Sequence, residues 1–244
     1  MNTLQAYAHN FFFNVYPYLC LAVFLMGSLA RFDRDQYTWK SDSSQMLRAG
    51  TLRWGSNLFH IGILFLLMGH TVGLLTPHWL YEPFISPERK QVVAVVAGGI
   101  AGVVCFIGLT LLLHRRLSDP RIRLTSHRTD LAILIILWVQ LTIGLITLPY
   151  SFGHEDASVM LALSDWAQRI VTFQPDAAGL VPLAWPYKSH LVLGMTIFLL
   201  LPFSRLVHVW SGFASLAYVF RPYQLVRSRR LNLPGGHNTP PARH

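Results

Sequence analysis

Five stretches of the chain, roughly residues 11–30, 57–76, 91–113, 131–149 and 190–210, are each about as long and as apolar as a segment that crosses a bilayer. Nothing else in the sequence constrains the fold as strongly. Inside hydrocarbon a backbone must satisfy its own hydrogen bonds, and a helix does so within a single segment. The expected fold class is therefore all-α, a polytopic membrane bundle of five transmembrane helices. Composition agrees: charged residues make up 13% of the 244, against roughly a quarter in a soluble domain. The first apolar run exceeds the ~7–15 residues of a signal-peptide core, and no lysine or arginine precedes it, so it is expected to stay as a span.

Charge gives the orientation. Arg31, Arg34, Lys40, Arg48 and Arg53 follow span one. Arg115, Arg116, Arg121, Arg123 and Arg128 follow span three. Arg221, Arg227, Arg229, Arg230 and Arg243 follow span five. With Arg205 these are sixteen of the twenty basic residues, and the other side keeps Arg89, Lys90, Arg169 and Lys188. The positive-inside rule then puts the N-terminus outside and the C-terminus in the cytoplasm. The net charge of +9 is thus topological; divided among three membrane-flanking segments, it argues for a lipid bilayer partner and no nucleic acid.

Between the spans the signals are local. "SDSSQML" offers a helix start after span one, and Pro77, Pro83 and Pro87 break the short outer loop. Pro149 is expected to end span four and Pro202 to kink span five. In the longer outer loop Val159, Leu163, Trp166, Ile170 and Phe173 form an apolar stripe. It suits a helix capping the bundle or lying on the membrane, with capping favoured. Cys20 and Cys105 read as small packing residues. The domain expected is 1–230, followed by a disordered polar tail over 231–244.

Eleven histidines are present. His9, His114, His127, His154, His237 and His244 fall in loops, tails or helix ends and read as solvated; His78 reads as interfacial, beside Trp79. The exceptions are His60 and His70 in span two, and His190 and His208 in span five, because an ionisable residue inside a membrane is costly. Antiparallel packing of the two spans brings His60 level with His208 and His70 level with His190. The 18-residue separation in span five is five whole helical turns, so both its rings share a face; the rises put the pair centres roughly 20 Å apart. A flat macrocycle with one imidazole from each helix fits each level, which points to two haem b groups with histidine on both faces, suited to electron transfer. Zinc needs four ligands around one centre, and neither a cysteine nor a carboxylate is expected level with either pair. A proton relay needs carboxylates inside the spans, which lack them. Gly62, Gly69, Gly73 and Gly194 suit either close approach of a porphyrin or close helix packing. Haem propionates sit best beside arginine, and Arg205, one turn before His208, is the candidate; Arg115 and Arg116 read better as positive-inside anchors.

The stretches "FFFNVYPY", "QYTWKSDSSQML", "SNLFHIGIL", "GHTVGLLTPHWLYE", "HLVLGMTIFLLLPFSRLVHVWS" and "YQLVR" are long and specific. Through them the chain, from about residue 8 to 230, resembles the gamma subunit, a dihaem cytochrome b, of membrane-bound respiratory nitrate reductase. The resemblance implies that His60 and His208 hold the haem nearer the cytoplasm and His70 and His190 the distal one. It implies a bacterial inner-membrane subunit that oxidises quinol and passes electrons to an iron–sulfur beta subunit and a molybdenum-containing alpha subunit. It also implies that Lys90 contacts quinol, with Gly69 and His70 lining the pocket; from the residues alone Lys90 reads as a snorkelling interfacial lysine. The tail past 230 departs from the family pattern. The aromatic and basic run "YVFRPYQLVRSRR" and the first cytoplasmic loop are the expected docking surface for the iron–sulfur partner. Other readings are the equivalent subunit of another quinone-linked oxidoreductase, and a haem-free anchor or transporter.

Overall fold

A computed structural model describes residues 2–34, 49–152 and 156–210; side-chain placements at Ala49 and Thr125 are not described. Helix α1 (Thr3–Asn10) starts on a reciprocal cap between Asn2 and Gln5 and passes through a π-helical turn, Phe11–Val15, into α2 (Tyr16–Arg34). Next come α3 (Ala49–Leu75), the short α4 (His78–Tyr81) and α5 (Pro87–Ser118). Ser86 caps α5 through its hydroxyl, with Pro87 in the first turn, where its missing N–H costs nothing. The short α6 (Pro120–Thr125) leads to α7 (Arg128–Phe152), α8 (Ser158–Val171) and α9 (Trp185–Leu200). The described residues contain no strand, and five of their helical segments are long and apolar enough to cross a membrane. The start signal in "SDSSQML", the run from 218 to 230 and the tail boundary at 230 lie outside the described residues.

Residues Met1–His208 form one compact unit. Within it α3 packs on α5, α5 on α7, α7 on α9, and α9 on α2. The α3–α5 contact is the closest. A Cβ on Gly62 would lie 2.5–2.7 Å from Cys105 atoms, two of them backbone, and one on Gly108 would lie 2.8 Å from the Gly55 carbonyl oxygen. Gly62 is therefore a helix-packing residue, of the two roles its sequence position allowed. Cys20 and Cys105 are fully buried, as packing residues should be.

Helix α8 caps the bundle. Val159, Trp166 and Ile170 turn inward, and Trp166, Ala167 and Ile170 join Phe13, Ala177 and Leu180 in one apolar cluster. Its polar side chains answer carbonyls that the spans leave over. Trp166 donates to the Phe13 carbonyl beside the π-turn at 2.8 Å, and Ser164 donates to Leu74 at 3.0 Å. Gln168 donates to Leu74 and Thr76, at the end of α3. Phe173 leaves the expected stripe: the helix stops at Val171, and Phe173 takes a left-handed φ of 60° and stacks on Tyr18. His9 is not merely solvated either, since its ring meets Phe13 and its Nε2 donates to the Ala177 carbonyl.

Two prolines behave differently from expectation. Pro149 does not end its span; α7 continues to Phe152. Proline this near a terminus removes little more than one helical bond, and the Ser151 hydroxyl bonds the Thr147 carbonyl beside it. Pro202 does more than kink span five. The α-helix stops at Leu200, and two 3₁₀ turns, Leu201–Phe203 and Arg205–Val207, flank an extended Ser204.

Widening Gly62 to Val should force α3 off α5. Overpacking of this kind costs about 1–3 kcal/mol, so the detergent-solubilised protein should melt earlier, whereas Gly98→Ala, facing open space, should melt like the wild type.

Candidate functional site

The four span histidines meet in two pairs. The rings of His60 and His208 have centroids 6.3 Å apart, and those of His70 and His190 are 6.1 Å apart. In every one of the four, Nδ1 lies on a backbone carbonyl: His60 on Ser56 at 2.7 Å, His70 on Leu66 at 2.7 Å, His208 on Arg205 at 2.7 Å, and His190 on Gln140 at 3.1 Å. A carbonyl only accepts, so Nδ1 must carry the proton. The neutral ring then keeps its lone pair on Nε2, the form that binds a metal.

The spacing suits a metal between the rings. Two imidazoles bonded to one ion at about 2 Å, with roughly 1 Å more to each ring centre, have centroids roughly 6 Å apart. Each pair supplies just two ligands, and no group of three or more histidine, cysteine or acidic side chains able to hold an ion occurs among the described residues. A bare ion would lack ligands here. An iron that brings four equatorial nitrogens in a planar ring would not. Gly69 and Gly73 on α3 have nothing within 4 Å of where a Cβ would stand, so, unlike Gly62, they pack against no helix among the described residues.

His208 does not reach its position by five regular α-helical turns, because the helix breaks at Pro202. Span one repairs the break. Arg31 Nη1 donates to the carbonyls of Pro202 at 2.7 Å and Ser204 at 2.9 Å, and a Cβ on Gly27 would stand 3.0 Å from the Pro202 ring. Arg31 is thus more than a topological charge. It fastens the segment that delivers His208.

Next to this pair is a cavity whose lining includes Arg115, Arg116, Leu137 and Arg205 together with both rings. Asp130, in the first turn of α7, lies 3.5 Å from Arg116 and 3.5 Å from Arg205. Arg115 is buried. Arg115 and Arg116 therefore line the same cavity as Arg205. Asp130 is the residue that sequence reasoning missed: a lone carboxylate beside an apolar run carries no motif. It pairs with arginines of this cavity and forms no metal-holding group with the rings among the described residues.

The other pair is built differently. His190 donates Nδ1–H across to α7, while the other three rings use carbonyls three or four residues away on their own segment. A Cβ on Gly144 would lie 2.8 Å from His190 Cε1. Gln140 Nε2 donates to the His190 carbonyl at 3.0 Å and lies 3.4 Å from His190 Nε2, while Gln140 Oε1 is buried without a partner among the described residues. Gly194 makes room for that amide, 3.2 Å from where its Cβ would be.

Lys90 Nζ sits 3.6 Å above the Tyr81 ring and is buried with no hydrogen-bond partner among the described residues. Burial, and then the carboxylates of Glu82 and Glu88, push the Tyr81 hydroxyl above its ordinary pKa and keep it protonated. His78 pairs with Glu82 at 3.1 Å on the same short helix.

Sequence comparison relates the chain to known proteins. The family described as nitrate reductase gamma subunit matches residues 9–229. The respiratory nitrate reductase 1 gamma chain of Escherichia coli (strain K12) is 51% identical over 91% of this chain and 99% of its own length. The respiratory nitrate reductase 2 gamma chain of the same organism is 51% identical over 92% and 99%. The nitrate reductase gamma chain of Bacillus subtilis (strain 168) is 35% identical over 88% and 96%.

Asp130→Ala removes the carboxylate that two guanidiniums share in a largely buried setting. It should cost about 2–3 kcal/mol, read as a lower melting temperature of the purified protein. An unchanged melt would show that the pairing adds nothing.

Proposed function

The chain belongs to the nitrate reductase gamma subunit family, and we propose that it is the quinol-oxidising, haem-carrying membrane subunit of a respiratory nitrate reductase. The observation that carries the reading is the pair of histidine pairs, at 6.3 and 6.1 Å, each ring holding its proton on Nδ1. His60 and His208 hold one haem b, and His70 and His190 the second. When bound, the two groups supply reversible one-electron chemistry within the membrane. The Arg-rich end, with Arg31, Arg115, Arg116 and Arg205, faces the cytoplasm by the positive-inside rule, so the N-terminus is outside and the C-terminus inside.

The protein's own residues do the rest. Each Nδ1–H···O=C bond holds its ring in one tautomer and raises the basicity of Nε2. Arg205, with Asp130 fixing its position, offers a guanidinium to a haem propionate near the His60/His208 pair. Quinol is apolar and enters from the bilayer near the other pair. Its oxidation releases two electrons and two protons, and release outside conserves energy for the cell. Lys90, turned onto the protonated Tyr81 and lacking a hydrogen-bond partner among the described residues, has donors available for a quinol oxygen and stabilises the negative charge left as a proton departs. Gly69 and His70 line the same pocket. Electrons pass to an iron–sulfur beta subunit and on to a molybdenum-containing alpha subunit that reduces nitrate, docked on the cytoplasmic segments of a domain covering 1–230, with 231–244 as a polar tail.

Two measurements test this. Replacing His60 or His208 by Ala should halve the haem content and remove one potential; replacing His70 or His190 should remove the other. A purified complex without a b-type reduced-minus-oxidised spectrum would sink the reading. Lys90→Ala should leave both haems in place and lower quinol-dependent nitrate reduction at least tenfold, while an artificial donor to the soluble subunits still works. Unchanged quinol activity would move the quinol site elsewhere.

A further inference from the structure

Helices α7 and α9 exchange a side chain and a notch. Each carries a polar residue followed four positions later by glycine: Gln140 and Gly144 on α7, His190 and Gly194 on α9. The His190 ring lies where a Gly144 Cβ would be, 2.8 Å from Cε1, and the Gln140 amide lies 3.2 Å from where a Gly194 Cβ would be. Residues four apart sit one above the other on a helix face, so each knob fills the hole beside its opposite number. The exchange is closed by hydrogen bonds in both directions. His190 Nδ1–H donates to the Gln140 carbonyl at 3.1 Å, and Gln140 Nε2 donates to the His190 carbonyl at 3.0 Å.

From this geometry we infer that Gln140 and Gly144, on a span that supplies no metal ligand, are positioning residues for His190, and that through it they set the properties of the haem at the His70/His190 pair alone. The inference rests on the haem reading above. His60, His70 and His208 bond carbonyls of their own segment, so their tautomers survive small shifts between helices. The His190 bond crosses from one helix to another and holds only while α7 stays in register. Gly144 serves twice. Its missing side chain admits the ring, and its own N–H is the regular helical donor to the Gln140 carbonyl that the ring shares. A methyl group at 144 must push the ring away from that carbonyl. Losing the bond lowers the basicity of Nε2, and a less electron-donating ligand makes the iron easier to reduce. The potential of this haem therefore rises.

The test uses the whole complex with its haems. Gly144→Ala should raise the reduction potential and alter the low-spin electron paramagnetic resonance signature of the haem that His190→Ala removes, and leave the other haem as in wild type. Loss of that one haem alone would support the inference equally. Gln140→Ala, which adds no bulk, should change the same haem in its signature, and it decides the matter if Gly144→Ala does not assemble. Gly102→Ala is the packing control: its Cβ would meet Leu145 at the same 2.8 Å without touching a histidine, and both haems should stay unchanged. The inference is overturned if both haems keep wild-type potentials and signatures in Gly144→Ala and Gln140→Ala, or if the control shifts the same haem as much. A wild-type complex with no haem on these histidines would overturn the haem reading as well, so the two failures are told apart by the wild-type spectrum.

Discussion

Every part of this structure depends on one constraint: in an apolar surrounding, each backbone carbonyl that a helix leaves unpaired must find a donor within the protein. At three places among the described residues the chain meets the constraint with a side chain from a distant segment. The carbonyl of Phe13, beside the π-turn, takes the indole N–H of Trp166. The carbonyls of Leu74 and Thr76, where α3 runs out, take Ser164 and Gln168. The carbonyls of Pro202 and Ser204 take Arg31. The capping helix α8 and the basic tail of span one are thereby fixed by backbone chemistry, before any apolar area is counted.

The same constraint builds the histidine pairs. A ring in hydrocarbon needs an acceptor for its N–H, and helical carbonyls, which have a second lone pair, provide one. That choice of partner decides the tautomer and leaves the Nε2 lone pair as an acceptor, which at His190 faces the Gln140 amide at 3.4 Å. One hydrogen bond thus satisfies the ring N–H and fixes the tautomer of each of the four rings.

Much of this was legible in the sequence, for stated reasons. Hydropathy marks spans because lipid tolerates little else, and antiparallel connectivity turns the positions of His60, His70, His190 and His208 into levels. The helical count across span five was legible only in outline: eighteen residues read as five turns, yet Pro202 interrupts them, and His208 is held instead by a clamp from Arg31. A regular period cannot reveal a break that a distant residue repairs. Asp130 and Gly144 escaped for the same reason. A carboxylate at a helix start and a glycine in an apolar run acquire meaning only from what folds against them, here Arg116 and Arg205 in one case and the His190 ring in the other.

The two ends of the bundle consequently differ in what controls them. Near His60 and His208 the surroundings are cationic, with Asp130 offsetting part of the charge of Arg116 and Arg205, so electrostatics acts on whatever binds there through charged groups at short range. Near His190 the neighbours are an amide, a backbone carbonyl and two glycines, and control is geometric. A charge is screened by salt, whereas the fit of a ring into a notch between two packed helices is not. The two pairs are therefore set by different means: charged groups stand beside the first, and the α7–α9 register holds the His190 ring of the second.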